Sequence, residues 1–347
     1  LPDVAVVPSE HFNTVLYSGN GGTNAITGVG FAPDFVWAKY RSAVASHSLA
    51  DKVRGATKRL FSDSTAAEST HTGSLTSFDS DGFTMGSAAT TNESGETYVA
   101  WNWKANGSGS SNTDGSINTT KTSANVDAGF SIITYTGNAV SGASIGHGLS
   151  KTPEFWTIKE RTNGGDDWNS YHKGIASDAE TDWIRLNTAA AAEDTVGIWN
   201  DQAPTSSLIY LGNSGEVNGG SGETFVCYAF HSVDGYSKVG AYSGNSSSDG
   251  TFVYTGFRPA FVMIKGSSHS GHWVISNNKS TPYNVVNKGI LANDSAGEYT
   301  DPNLACLIDY TSNGFKWRNS DDNNNLTGRT YIYIAFAETP FKYSNAR

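Results

Sequence analysis

The chain repeats itself three times, and this limits the folds open to it more than any other feature. Each unit opens on a tyrosine and a tight polar turn: Tyr17-Ser18-Gly19-Asn20, Tyr135-Thr136-Gly137-Asn138 and Tyr242-Ser243-Gly244-Asn245. Each continues through a Gly-containing turn and a proline into an apolar run ending in lysine, from Pro33 to Lys39, Pro153 to Lys159 and Pro259 to Lys265. Each closes on an aromatic run: Thr97 to Trp103, Thr224 to Phe230 and Thr330 to Phe336. The opening tyrosines lie about 118 and 107 residues apart, which is the period of whole domains and not of a solenoid.

The repeated runs are four to seven residues long, β-branched and aromatic, and bounded by Gly, Pro, Asn and Asp, as strands are. Charged residues are only 16% of the chain, so polarity comes from Ser, Thr, Asn and Gly, which favour turns over helices. Helix signals are confined to Ser64–Glu68 and to Asn187–Asp194, with its four alanines from Ala189. The expected fold is all-β: three tandem homologous antiparallel β-sandwich domains of jelly-roll or lectin-like form. The boundaries read as 9–104, 126–234 and 238–345, with 105–125 a flexible Ser/Asn/Gly-rich linker. Only Asp234 to Lys238 separates the last two units, so these should pack together while the first stays more independent. The lysine closing each second run is expected to snorkel at a sheet edge and deter stray pairing.

A net charge of −10 removes the attraction behind most nucleic-acid affinity, and no apolar stretch is long enough to span a bilayer as a helix. Neither DNA, RNA nor membrane is an expected partner. Cys227 and Cys306 lie within apolar runs and read as buried free thiols, too few for a disulfide framework or a four-ligand zinc site.

Catalytic patterns are weak. Gly142-Ala143-Ser144-Ile145-Gly146 has the form of a nucleophile elbow next to His147, but no helix pattern follows it. Glu160, Asp182, Glu193, Glu223 and Glu338 offer carboxylates for glycoside hydrolysis, with nothing to pair any two of them. No enzyme is expected, and no cofactor. Calcium is the one candidate ion, at the oxygen-rich turns of Asp79 and Asp81 and of Asp321 and Asp322, although neither has the spacing of an EF-hand. Rings in polar, Gly/Asn-rich segments are the candidate ligand-binding groups: Trp168, Tyr171, Trp199, Trp273 and Tyr283, with His172 and His272 beside them. Such rings can stack on sugar faces or anchor a protein contact.

The phrases Phe12 to Asn20, Gly129 to Asn138, His147-Gly148-Leu149, Phe252 to Val262 and Ala335 to Lys342 resemble a family of repeat domains in marine bacteriophages. Members are described as tail-fibre-like or other virion structural proteins. The resemblance implies an extracellular virion surface protein: a tail fibre or receptor-binding appendage that contacts a host-surface glycan or protein and other virion proteins. A capsid decoration or head-fibre protein is the alternative, and a polysaccharide depolymerase a distant third. Three similar domains either assemble into homo-oligomers, such as trimers, or mimic three subunits within one chain.

Overall fold

The computed structural model describes residues 6–220, 222–300 and 306–338. The closing phrase from Thr339 to Lys342, the end of the third repeat and the residues just before Cys306 lie outside them. The structure is nearly all β, built from several antiparallel sheets without a barrel.

In every repeat the closing strand is the middle one of three. Thr97–Trp103 lies between Phe12–Ser18 and Phe35–Tyr40, Thr224–Phe230 between Phe130–Thr136 and Phe155–Glu160, and Thr330–Ala337 between Ser237–Ser243 and Pro259–Gly266. The register sets Tyr17 opposite Tyr98, Tyr135 opposite Phe225 and Tyr242 opposite Tyr331. These rings stack at centroid distances of 5.0, 5.1 and 5.2 Å, the cross-strand pairing that stabilises a sheet.

A smaller sheet covers one face of each larger one, and includes Asn24–Thr27, Ala143–Gly146 or Phe252–Tyr254. Ile26, Ile145 and Val253 point inward from these strands and are buried. Alternation of side chains across both layers makes the sandwich.

The Tyr-Ser/Thr-Gly-Asn turn has one physical explanation in all three repeats. The hydroxyls of Tyr17, Tyr135 and Tyr242 donate to the carbonyls of Thr91, Val217 and Asn324 at 2.8, 2.5 and 2.6 Å. The next residue along in each case is a fully buried asparagine: Asn92, Asn218 or Asn325. Its Oδ1 accepts from the N–H of the turn's own Asn20, Asn138 or Asn245. The turn glycine lies so close to this segment that a Cβ on Gly19 would stand 2.0 Å from Glu93 O, and one on Gly137 2.4 Å from Gly219 O.

The other face of each large sheet turns toward the other two repeats, and the three close cyclically. Glu68 N–H donates to Arg161 O, Ala192 N–H to Ser267 O and Glu298 N–H to Arg41 O, at 3.0, 2.9 and 2.8 Å. These bonds run from the first repeat to the second, from the second to the third and from the third back to the first. A second set repeats the pattern: Gly165 N–H to Thr65 O, Gly271 N–H to Ala189 O and Ala45 N–H to Ser295 O. At the centre the last ring of each closing strand meets the other two. Trp103, Phe230 and Phe336 form a triangle with centroid distances of 6.4, 6.0 and 5.6 Å. A cavity of about 30 Å³ beside them is lined from all three repeats, by residues that include Phe35, Phe155 and Phe261.

Several expectations change. Lys39, Lys159 and Lys265 do not snorkel at edges; they are buried on inner strands. Lys39 Nζ donates to the carbonyls of Tyr40 and of Ser295 in the third repeat, both at 3.1 Å. Lys265 Nζ donates to Gly266 O and to Ala189 O of the second repeat, at 3.0 and 3.2 Å. Burial lowers the pKa of both to about 8. Neither Ser64–Glu68 nor Ala189–Ala192 is helical, because these are the loops laid against the neighbouring repeat. The segment 105–125 is no tether: Lys121–Asn125 pairs with Phe130–Thr136, and Ile117 is buried. Nor is the first repeat set apart, since one apolar cluster runs through all three.

Candidate functional site

The expected binding rings lie mostly inside the molecule. Trp168 donates its indole N–H to Phe61 O and Trp273 to Arg185 O, both at 2.8 Å, so each is a bond between neighbouring repeats. The first repeat has His47 in the same role, its Nε2 2.9 Å from Leu291 O. Tyr171 stacks on Trp156 at 3.9 Å, and Trp199 meets the same ring edge-on at 5.2 Å. His172 Nε2 lies 3.1 Å from Tyr333 O of the third repeat. His272 is half-buried, with Nδ1 3.0 Å from Asn293 Nδ2. Trp168, Tyr171, His172, Trp199 and Trp273 are all enclosed and present no ring face to solvent. Tyr283 is the exception, at 82% exposure.

Burial also fixes the histidine charge. Desolvation lowers the pKa of His47 to about 3 and of His172 and His147 to about 4, so all three are neutral at neutral pH. Ser144 and His147 bond elsewhere: Ser144 Oγ accepts from Ser116 N–H at 3.1 Å, and His147 Nδ1 from Leu149 N–H at 3.1 Å. Cys227 and Cys306 are buried and free, and burial pushes the Cys306 thiol up to about 12.

The aspartates proposed for calcium are engaged by other protein groups, in their own turns or in an adjacent loop. Asp81 accepts from the N–H groups of Gly28 and Gly30 at 3.1 and 2.6 Å, and Asp79 from the hydroxyls of Ser77 and Thr84, both at 2.7 Å. Asp321 Oδ1 accepts from Asn323 N–H at 2.8 Å, and Asp322 lies 3.2 Å from His269 Nε2. Among the described residues no three His, Cys, Asp or Glu side chains gather as a metal site.

Among the described residues, the large aromatic side chains left exposed to solvent, Phe252, Tyr254 and Tyr283, all belong to the third repeat. Its small sheet runs Phe252–Tyr254, Gly314–Trp317, Ile308–Thr311. Phe252 and Tyr254, two apart on one strand, project from the outer face at 46% and 64% exposure. The Phe252 ring lies over Gly314, where a Cβ would stand 3.0 Å from its Cε2. Tyr283 and Val285 border the far side of this sheet, where Asn284 exchanges two hydrogen bonds with the backbone of Tyr310. Charges surround the rings as closed pairs. Asp249 takes Lys316 at 2.6 Å and Arg318 at 3.1 Å, and Arg318 also reaches Asp309 at 2.5 Å. The bond from Lys316 holds the Asp249 carboxyl below its usual range. Such a face can stack flat apolar surfaces and offer charged hydrogen-bonding groups at its border.

Sequence reasoning missed Phe252 and Tyr254, although the signal was present. The aligned positions are Ala25 and Thr27 in the first repeat and Ser144 and Gly146 in the second. Only the third repeat carries rings there.

Residues 7–340 match the family model described as "Domain of unknown function (DUF7483)", so the chain belongs to that family. The match runs across all three repeats. No curated protein matches the chain.

Proposed function

We propose that this DUF7483 protein is a non-enzymatic virion surface protein, a tail fibre or receptor-binding appendage that contacts a host-surface glycan or protein through its third repeat. The observation that carries this reading is that the exposed rings Phe252, Tyr254 and Tyr283 all belong to the third repeat, at the two edges of its small sheet. Rings fixed on strands lose little freedom when they meet a flat ligand, which suits repeated weak contacts made by many copies. The cyclic closure of the repeats supports one chain standing in for three subunits. The engaged Ser144, the neutral buried histidines and the paired charges support a role without catalysis. The capsid-decoration alternative draws on the same repeat, since Val285 next to Tyr283 adds exposed apolar surface suited to a protein contact.

The test has two parts. Immunogold electron microscopy of the source particle, with antibody to residues 126–338, is expected to label tail tips or lateral fibres. A glycan array probed with clustered wild-type protein and with Phe252→Ala/Tyr254→Ala is expected to show binding that the double variant loses. Gold spread over the capsid would replace the appendage reading with the decoration one. Gold on cell surfaces free of particles would end the virion reading.

A further inference from the structure

The junction between the third repeat and the first departs from the other two. In every repeat the carbonyl of the residue after the repeated proline accepts an N–H bond from the residue just past the adjoining strand. Lys52 donates to Asp34, Lys173 to Glu154 and Asn278 to Ala260, each at 2.9 Å. In the first two repeats the side chains of these same residues also form an ion pair, with Lys52 Nζ 3.6 Å from Asp34 and Lys173 Nζ 2.5 Å from Glu154. The carboxylates accept backbone N–H groups as well, from Ala105 at 2.9 Å and from Ser232 at 2.7 Å. The third repeat has alanine and asparagine at these two positions and so carries neither charge.

A cavity of about 30 Å³ lies there, between Phe12, Asn13 and Thr14 of the first repeat and Ala260, Asn278 and Glu338 of the third. Thr14 is 2% exposed and Asn278 5%, and neither Thr14 Oγ1 nor Asn278 Oδ1 has a hydrogen-bond partner in the protein. Both oxygens are peculiar to this junction. The residues equivalent to Thr14, three before the repeat's tyrosine, are Ile132 and Val239, and those equivalent to Asn278 are lysines. The wall therefore carries acceptor oxygens where the other repeats carry an aliphatic group or an ammonium. Buried polar atoms left unpaired are costly, so these two point to a small guest that satisfies both.

We propose that this cavity binds a monovalent cation of the size of potassium or ammonium, which stands where the other repeats place a lysine ammonium and ties the third repeat to the first. The oxygen dipoles of Thr14 and Asn278 replace part of its hydration shell. Glu338 is already paired with Arg258 at 2.6 Å, and Lys279, also on the wall, is exposed and screened by water. A divalent ion, which draws on carboxylates of its own, does not fit such a donor set. The place is significant because the chain runs from the first repeat to the second and from the second to the third, so this junction closes without a connecting segment. The ion site involves none of the exposed rings of the third repeat and holds or fails separately from glycan binding.

The test follows the melting temperature of the full chain in potassium chloride, with choline chloride keeping total chloride and ionic strength constant. Between about 1 and about 100 mM potassium, a site with a dissociation constant of about 10 mM raises it by roughly 2 °C. Ammonium chloride is expected to do the same. Thr14→Val/Asn278→Leu removes both oxygens at nearly constant shape and is expected to abolish the response. Ala260→Glu/Asn278→Lys supplies the ion pair of the second repeat, and is expected to fold and to melt at one temperature in all three salts. In crystals of the wild-type protein, rubidium is expected to give an anomalous peak between Thr14 and Asn278. Equal melting temperatures of the wild type in potassium, ammonium and choline chloride would mean that water alone fills the cavity, and would overturn the proposal. So would a potassium response that either double variant retains in full, or rubidium peaks that all lie away from Thr14 and Asn278.

Discussion

Phe336→Ala removes one ring of the central triangle and tests the closure where all three repeats meet. Phe336 is 1% exposed and has aromatic partners in every repeat: Phe12 at 4.9 Å, Trp103 at 5.6 Å, Phe230 at 6.0 Å and Phe261 at 6.0 Å. Truncating a buried Phe costs about 3–5 kcal/mol, and more where the site cannot collapse. Here the cavity of about 30 Å³ already adjoins the ring, and its walls are held by strands of all three repeats. The upper part of that range is therefore expected. Unfolding entropy near 60 °C is about 2.1 cal/mol/K per residue, or roughly 0.7 kcal/mol/K for this chain, so the melting temperature should fall by about 6–7 °C. Calorimetry and urea unfolding would measure the change, with Tyr283→Ala as a surface control expected within about 0.5 kcal/mol of wild type. Wild type and Phe336→Ala should each unfold in a single transition, because one apolar cluster crosses every repeat. A loss below about 1 kcal/mol, or a variant in which only the third repeat melts early, would refute the reasoning.

Other consequences follow from buried polar groups. Arg54 is fully buried between the repeats, paired with Asp51 and Glu68 and bonded to Tyr228 Oη at 3.1 Å, so Arg54→Met should cost about 3–5 kcal/mol by stranding carboxylates; urea unfolding would show it. Asn92→Ala strands Gly22 O, Gly86 O and Asn20 N–H, and should cost roughly 2–4 kcal/mol by the same assay. His47, His172 and His147 have folded pKa values of about 3, 4 and 4. In the unfolded chain each would titrate near 6.5, so below that pH the unfolded state takes up protons that the folded state refuses, and stability falls as pH falls toward 4. Between pH 7.5 and 5 the loss is roughly 2 kcal/mol per ring, and a flat urea midpoint across this window would contradict the burial of these rings. Chelation by EDTA should move the melting temperature by less than about 1 °C, since the aspartates considered for calcium are already engaged by other protein groups.

The sheets were legible in the sequence because strand signals are local: a β-branched or aromatic run bounded by Gly, Pro or Asn can adopt little else. The repeated tyrosine and glycine pointed to the turns, although the buried asparagine that locks each turn lies about 70–80 residues away. The cyclic closure was hidden, because it depends on loops such as Ser64–Glu68 and Ala189–Ala192 whose partners are backbone N–H and C=O groups of another repeat. That also explains the misplaced lysines, since a charge after an apolar run reads as an edge marker unless a distant carbonyl is known to receive it. Trp168 and Trp273 seemed exposed because their neighbours are polar; those neighbours are the interface loops. Aligning the repeats against one another would have placed His47, Trp168 and Trp273 at one position and exposed Phe252 and Tyr254 as the odd ones out.

Small-angle X-ray scattering of the intact chain tests the cyclic closure most directly. Three repeats closed on a common core form one compact body, with a radius of gyration of about 20 Å for a chain of this length. Three separate bodies of about 13 Å each, strung in a line, would give roughly 30 Å. The account predicts the smaller value, with a single-peaked distance distribution. The larger value, or a distribution with a long shoulder, would contradict it.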